Sequence, residues 1–222
     1  MSSVEAVFLS LDGTLCEYRR PRAALLDRAF DRVGVDPFFT AEEYRRHLLM
    51  QVVMDETRAE RREAVFTDLA ERAGRDPAVG RRLAAAYAGM RDHGDVEALP
   101  GAIAAVESLA DRYDLALVAN GGPETQDPKL ATLDLVDVFD AVVYGGYETP
   151  PKPEPGPFLE AIYALDTTPR RVVHVGDSAH VDVRGADAAG ISAALVSTDD
   201  EHLTAPDYRV ESMAALTDPP WE

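Results

Sequence analysis

Several polar residues that lie far apart in the sequence each follow an apolar segment with the composition of a buried β-strand. They are Ser10 with Asp12 after the first segment, Asn120 after the second, Lys152 in the loop after the third, and Asp177 with Asp182 after the fourth. In open parallel α/β sheets, ligands bind beyond the carboxyl ends of the strands, along one edge. We therefore expect these side chains to meet at one site.

The residue types in this set suit a phosphate group and a divalent cation. Asp177 and Asp182 are five residues apart across a strand-to-helix junction, so both carboxylates can face the same edge. Carboxylate oxygens are ligands that Mg²⁺ prefers. Lys152 lies between two prolines in a stiff segment and offers a positive charge to an anion. Backbone N–H groups near Gly13 and Gly121 are candidates for an anion-binding nest.

The elements that hold these residues alternate between strands and helices from residue 99 onward. The first strand begins at Val7 and passes into a loop at Ser10 and Asp12. Further strands are predicted over 115–118, 141–143, 172–175, 193–196 and 207–210, with helices over 102–109, 130–135 and 158–165, a helix that ends at Gly190 and a helical turn over 213–216. This alternation predicts a parallel sheet with helices on both faces. His174, inside one of these strands, is expected to pack in the core.

Residues 16 to 98 have a helical pattern of apolar residues instead. One stripe, from Leu25 to Val33, ends at Gly34. Thr40 and Glu43 predict a capping box that opens a second helix. The second stripe contains Tyr44, Leu48, Leu49, Val52 and Val53. A third helix is expected to end at Gly74, and Asp76 with Pro77 to begin a fourth. These four helices predict a small bundle inserted after the first strand.

The charge balance is strongly acidic, with 22 Lys and Arg against 40 Asp and Glu and a net charge of −18. This argues against a nucleic-acid partner, because affinity for nucleic acid depends on neutralising phosphates. Dispersed acidic residues with almost no lysine are typical of proteins from salt-loving cells, where salt screens the self-repulsion. The chain has twenty arginines but only two lysines, Lys129 and Lys152. Each lysine is therefore a candidate for a specific role.

Other features favour a cytoplasmic protein with no membrane partner. No apolar segment approaches the roughly 20 residues needed to span a bilayer. The first strand begins almost at once, without the basic segment and cleavage site of a signal peptide. The single cysteine, Cys16, excludes an intrachain disulfide, and no His or Asn arrangement marks it as a nucleophile. We expect it to be structural.

The motifs at the strand ends resemble those of the haloacid dehalogenase (HAD) superfamily, which consists mostly of Mg²⁺-dependent phosphatases. The segment KPEPGPF, residues 152–158, is similar to the family's third motif, and HVGDSAHVDVRGADAAG, residues 174–190, is similar to the fourth. The segment LDGTL, residues 11–15, covers most of the first. The resemblance, over residues 5–16 and 99–210, implies a Rossmann-like α/β core made of residues 1–15 and 99–222. The helical insert, 16–98, stands where the family has a helical cap domain.

Two positions depart from the family pattern. The first motif of the family begins with an aspartate that attacks phosphorus and ligates Mg²⁺, and here that position is Ser10. The second motif has Ser or Thr before the asparagine, and here it is Ala119. A neutral hydroxyl is a weak nucleophile unless a base activates it. The nearby Asp12 has, by resemblance, the task of protonating the leaving group. A single engineered replacement would explain Ser10, but Ala119 argues against it.

The resemblance implies the following roles. They are catalysis by Ser10, Asp12 and Lys152, phosphate binding by Ser10, Asn120, Gly121 and Lys152, and Mg²⁺ binding, at a weakened site, by Asp12, Asp177 and Asp182. We expect a phosphatase-type protein deficient in hydrolysis, with a small phosphorylated metabolite as its partner. Three functions stay open: a slow Mg²⁺-dependent phosphatase, a non-catalytic protein that binds the metabolite, and an interaction protein in which the motifs only support the fold.

Overall fold

The computed structural model describes residues 3–50, 58–196 and 205–222, and the chain divides into two compact units. One unit consists of Met1–Arg19 with His93–Glu222, and the other of Arg20–Asp92. Residues 16–19 and 93–98, which the sequence places with the helical insert, group with the first unit. None of the helices in the described ranges is long and apolar enough to cross a membrane.

The first unit is a mixed α/β structure built on a parallel sheet. The strands in the described residues are β1 (Ala6–Leu9), β2 (Cys16–Tyr18), β3 (Val96–Ala98), β4 (Asp114–Asn120), β5 (Ala141–Gly145), β6 (Val172–Gly176), β7 (Ser192–Val196) and β8 (Tyr208–Val210). Within the described residues, six of them form a parallel sheet in the order β5-β4-β1-β6-β7-β8, and β2 pairs with β3 in a separate antiparallel ribbon. The predicted parallel sheet is confirmed. Because β1 lies between β4 and β6, the loop after β1 is flanked by the loops after both neighbours.

Both faces of the sheet are covered, as β1 shows. Its side chains alternate between two apolar cores, with Val7 and Leu9 in one and Ala6 and Phe8 in the other, and all four are fully buried. This alternation follows from the period of two in a strand, and burial on both faces is typical of parallel sheets. The α-helices in the described part of the chain are α1 (Arg22–Val33), α2 (Ala41–Met50), α3 (Arg58–Arg72), α4 (Pro77–Ala88), α5 (Ala102–Ala110), α6 (Pro123–Thr132), α7 (Gly156–Ala164) and α8 (Arg184–Ala189).

Two elements of the first unit differ from the sequence expectation. The ribbon of β2 and β3 lies in a region predicted to be helical. Its three-residue strands pair with each other across about eighty residues of sequence, so no local pattern marks them. Helix α6 begins at Pro123, seven residues before the predicted start, and ends at Thr132. Pro123 fits the first turn, where its missing N–H is not needed, whereas Pro128 lies inside the helix, a position where proline is disfavoured.

The second unit contains the helices α1 to α4, with a core of its own. The predicted ends are confirmed. Gly34 has a left-handed backbone with φ 72° after α1, and the Asp76 side chain accepts from Ala78 N at 2.8 Å before α4. Thr40 N donates to Glu43 Oε2 at 2.8 Å and Glu43 N to Thr40 Oγ1 at 3.2 Å, which is a capping box. Val52 and Val53, predicted for the second stripe, lie outside the described residues.

Candidate functional site

The loop after β1 is packed directly against the loop after β6. The Ser10 amide donates to Val175 O at 2.9 Å and so extends the pairing of these strands by one residue. Gly13 has φ 79°, and a Cβ placed there would lie 2.3 Å from Asp177 Oδ2, so both the backbone and the space require glycine. Thr14 Oγ1 donates to Asp177 Oδ1 at 3.1 Å. The first and fourth motifs therefore meet, as expected from the parallel sheet.

Lys152 lies at the centre of a group of bonded side chains that also contains Ser10 and Asp182, here named the Lys152 cluster. Its Nζ donates to Ser10 Oγ at 3.0 Å, to Val118 O at 2.7 Å and to Asp182 Oδ1 at 2.7 Å. The residue is only 4% exposed. Three acceptors account for all three N–H groups of an ammonium. The cation is thus fully bonded within the protein, with the Ser10 hydroxyl as one of its three acceptors.

Asp182 is the anion of this Lys152 cluster. It is buried, and besides Lys152 it contacts His174 Nε2 at 2.9 Å through Oδ1 and accepts from Ser178 N at 3.1 Å through Oδ2. Burial alone would raise the pKa of Asp182, but the Lys152 ammonium and the His174 hydrogen bond hold it well below its usual range. A Cβ at Gly176 would lie 2.2 Å from Asp182 Cγ, so this glycine gives the carboxylate its space.

His174 is fully buried, which confirms that it is a core residue. Its ring meets Phe158 edge-on, with centroids 4.8 Å apart. Burial lowers the pKa of His174 below its ordinary value despite the neighbouring Asp182 carboxylate. The neutral ring therefore supports Asp182 by a hydrogen bond rather than by a full charge.

Asn120 fixes the loop that carries Lys152. Its Nδ2 donates to Lys152 O at 2.9 Å, and Lys152 N donates to its Oδ1 at 2.8 Å. The amide of Gly121 donates to Gly145 O at 2.8 Å. The groups predicted to bind phosphate at Asn120 and Gly121 are thus used within the protein. Phosphate binding by these two residues stays a prediction.

A second cluster, which the sequence did not identify, surrounds Asp12. Lys129 Nζ lies 2.5 and 2.6 Å from the two carboxylate oxygens of Asp12, and Gln126 Nε2 donates to Asp12 Oδ2 at 3.3 Å. Lys129 is 2% exposed and Gln126 is fully buried, whereas the Asp12 side chain is 44% exposed. Gln126 and Lys129 are three residues apart on α6 and so share one face of the helix. The scarcity of lysine was the sequence signal for Lys129.

The predicted site residues are therefore placed in three connected groups. Ser10, Lys152 and Asp182 form the Lys152 cluster, Asp12 belongs to the Lys129 cluster, and Asp177 pairs with Thr14. Asn120 joins the two lysine clusters, because its carbonyl accepts from Gln126 Nε2 at 2.7 Å while its side chain holds the backbone of Lys152.

The carboxylates predicted to bind Mg²⁺ do not fit that role in this arrangement. Asp12 and Asp182 are already neutralised by ammonium groups, and Asp177 is bonded to a neutral hydroxyl. No group of three or more His, Cys, Asp or Glu side chains in the described residues is arranged to hold a metal. These two ion pairs leave Asp177 as the one carboxylate of the three whose charge is not balanced by a lysine, and a dication in an all-protein site takes several oxygen ligands. We therefore assign no chemical step of this site to a metal.

Comparison with known proteins identifies relatives of this fold and these motifs. The family model described as haloacid dehalogenase-like hydrolase matches residues 4–190. The phosphoserine phosphatase of Thermus thermophilus is 35% identical over 153 residues, which are 67% of this chain and 61% of that protein. The chain thus spans about three fifths of the length of that relative. Protein CbbY of Cereibacter sphaeroides is 27% identical over 96% of this chain and 94% of its own.

Solved structures share the architecture over almost the whole chain. The putative HAD-hydrolase YfnB from Bacillus subtilis, in a structure bound to magnesium, superimposes with a TM-score of 0.75 at 20% identity and covers 97% of both chains. CbbY from Rhodobacter sphaeroides, in complex with phosphate, superimposes with a TM-score of 0.69 at 23% identity and covers 96% of both. At these identities the likeness establishes the common fold.

Proposed function

The chain belongs to the haloacid dehalogenase-like hydrolase family, and we propose that it binds a small phosphorylated metabolite but hydrolyses phosphate esters only weakly. The phosphatase type is supported by the phosphoserine phosphatase among its relatives. Binding is supported by the convergence of both lysines on the edge of the sheet where α/β proteins hold their ligands.

The observation that carries the proposed loss of activity is the environment of Ser10. Its hydroxyl accepts a hydrogen bond from Lys152 Nζ, and an ammonium that donates to three acceptors has no lone pair with which to remove the Ser10 proton. The carboxylate of Asp12 is held by Lys129 instead. A serine in this position therefore lacks the base that would make it a nucleophile.

Ala119 removes a second contribution to catalysis. It is buried and carries no hydroxyl that can donate to a phosphoryl oxygen. Loss of one such donor alone typically costs a factor of about 10² to 10³ in rate. The two departures together predict turnover far below that of an intact phosphatase of this family.

Phosphate binding is expected to persist because Ser10 carries no charge. A carboxylate at position 10 would repel a phosphate anion by about 4 kcal/mol at roughly 4 Å and an effective dielectric near 20. The Ser10 hydroxyl, polarised by Lys152, can instead donate a hydrogen bond to a phosphate oxygen. The same substitution that weakens hydrolysis therefore favours retention of the ligand.

Hydrolysis of a generic aryl phosphate in high salt, with Mg²⁺, tests the catalytic part. The doubly restored variant Ser10→Asp with Ala119→Thr should exceed the parent by at least about 10²-fold. Ser10→Asn with Ala119→Thr is the matched control, because asparagine has the shape of aspartate without its charge, and it should gain little. Parent turnover in the ordinary enzyme range of about 1 to 10³ s⁻¹ would refute the proposal.

Calorimetric titration with inorganic phosphate tests the binding part and separates it from the interaction-only function. The parent should bind phosphate, and binding should be the same with Mg²⁺ as with a chelator, because the carboxylates of Asp12 and Asp182 already hold ammonium groups. Absence of phosphate binding would leave the interaction-only function. Strict dependence on Mg²⁺ would show that the carboxylates rearrange around a metal.

A further inference from the structure

Lys129 is a buried cation that lies outside the segments resembling the family motifs. Its ammonium lies between the Asp12 carboxylate and the Tyr18 ring, whose centroid is 5.0 Å from Nζ. An ammonium at this distance from an aromatic face gains a cation–π attraction. Since Lys129 is only 2% exposed, the geometry does not place it in direct contact with a ligand.

The Asp12 side chain is held from a second direction by Gln126. The amide of this fully buried residue donates to both Asp12 Oδ2 and Asn120 O, while its Oε1 has no hydrogen-bond partner. A buried acceptor without a partner costs free energy. The two hydrogen bonds of this amide tie the Asp12 carboxylate to the end of β4.

We propose that Lys129 is a positioning residue that fixes and neutralises the Asp12 carboxylate, so that the edge of the sheet can accept a phosphate anion. Lys129 acts through Asp12 and does not touch the anion. The part that concerns phosphate rests on the proposed function, whereas the fixing of Asp12 does not. Without Lys129, the half-exposed Asp12 would present an uncompensated negative charge beside Ser10 and repel the ligand.

A charge-compensation experiment tests the neutralisation. Lys129→Met, which keeps the length of the side chain without its charge, should weaken binding of inorganic phosphate about tenfold at a fixed salt concentration. This is less than the effect of a carboxylate at position 10, because water screens the exposed Asp12 side chain. Lys129→Met with Asp12→Asn should restore most of the parent affinity, since the pair is again neutral. Arg209→Met, at an exposed position on β8, removes one positive charge elsewhere and should bind like the parent.

The outcomes are distinct from those of a merely structural role. If Lys129 only supported packing, Asp12→Asn would not rescue Lys129→Met, and that result would overturn the proposal. Equal affinity of Lys129→Met and the parent would also overturn it.

A second measurement does not depend on phosphate binding or on the folding of Lys129→Met. Because the chain has two lysines, protein labelled with ¹³C at lysine Cε gives two NMR signals, which single Lys→Arg variants assign. Asp12→Asn should shift the Lys129 signal and leave that of Lys152 in place. An unchanged Lys129 signal would overturn the positioning role.

Addition of inorganic phosphate to the labelled parent separates the two proposals. If both signals stay in place while Asp12→Asn still shifts Lys129, the proposed function fails and the fixing of Asp12 stands. If phosphate shifts the Lys152 signal but Lys129→Met binds phosphate as tightly as the parent, the neutralising role fails and the proposed function stands.

Discussion

The two lysines of this chain occupy contrasting environments within one site. Lys152 is surrounded by three acceptors, and its anionic partner Asp182 is itself buried and bonded to His174 and Ser178. Lys129 is equally buried, but its partner Asp12 has 44% of its side chain exposed. The two clusters thus differ mainly in whether water reaches the anion.

This difference separates a structural role from an adjustable one. A charge buried without its partner cannot recover its hydration, so the members of the Lys152 cluster depend on each other. Water can solvate the Asp12 carboxylate if Lys129 moves away, which leaves this pair weaker and open to influence by a ligand. We therefore expect the Lys152 cluster to govern stability and the Lys129 cluster to govern the charge that a ligand meets.

The largest expected effect is on the stability of Lys152→Met. This change leaves the Asp182 carboxylate buried without its cation and should lower the free energy of unfolding by about 3–5 kcal/mol, the usual cost of breaking a buried ion pair. Urea unfolding at constant salt measures it, and the double variant with Asp182→Asn should recover part of the loss. A loss below about 1 kcal/mol would contradict the assignment of Lys152 to a tightly coupled cluster.

A smaller effect is expected for Lys129→Met. Because water reaches the Asp12 side chain, the free energy of unfolding should fall by only about 1–2 kcal/mol, less than for Lys152→Met in the same urea experiment. The control is Arg209→Met, an exposed change that should stay within about 0.5 kcal/mol of the parent. If the two lysine variants lost equal stability, the contrast between the clusters would be wrong.

The sequence predicted the Lys152 cluster far better than the Lys129 cluster, for a physical reason. Ser10 and Asp182 follow strands, and Lys152 lies in the segment KPEPGPF, which resembles a family motif. Parallel strands bring such positions to one edge of the sheet. Lys129 reaches the site from inside α6, a helix whose interior contains Pro128, which disfavours helix. Its position on that helix, three residues after Gln126, became meaningful only with the true start at Pro123.

Other features depended on contacts that no local pattern encodes. The ribbon of β2 and β3 joins segments about eighty residues apart and brings Tyr18 to Lys129. The hydrogen bonds of Asn120 to the backbone of Lys152 likewise depend on the register of the folded sheet. The helical unit, in contrast, has local signals at its ends, and Gly34, Thr40 and Asp76 were all predicted correctly.

The smallest expected effect is on the pH dependence of the free energy of unfolding. It concerns His174, which bonds to Asp182 in the Lys152 cluster and has no counterpart in the Lys129 cluster. Burial lowers the pKa of His174 below its unfolded value of 6.5, so the unfolded chain binds a proton that the folded chain does not. The stability linked to His174 is therefore complete above about pH 6.5 and is lost as the pH falls from there toward the folded pKa, with a slope of at most about 1.4 kcal/mol per pH unit. The lowered pKa of Asp182 acts with the same sign, but only below its unfolded value of 3.8.

Urea unfolding between about pH 5 and 8, the range in which an ordinary histidine titrates, measures this effect. The free energy of unfolding should depend less on pH for His174→Gln than for the parent. His180→Gln, at an exposed histidine after β6, is the matched control and should follow the parent. A parent profile that rises toward low pH in this range would contradict the buried, neutral His174 on which the Lys152 cluster depends.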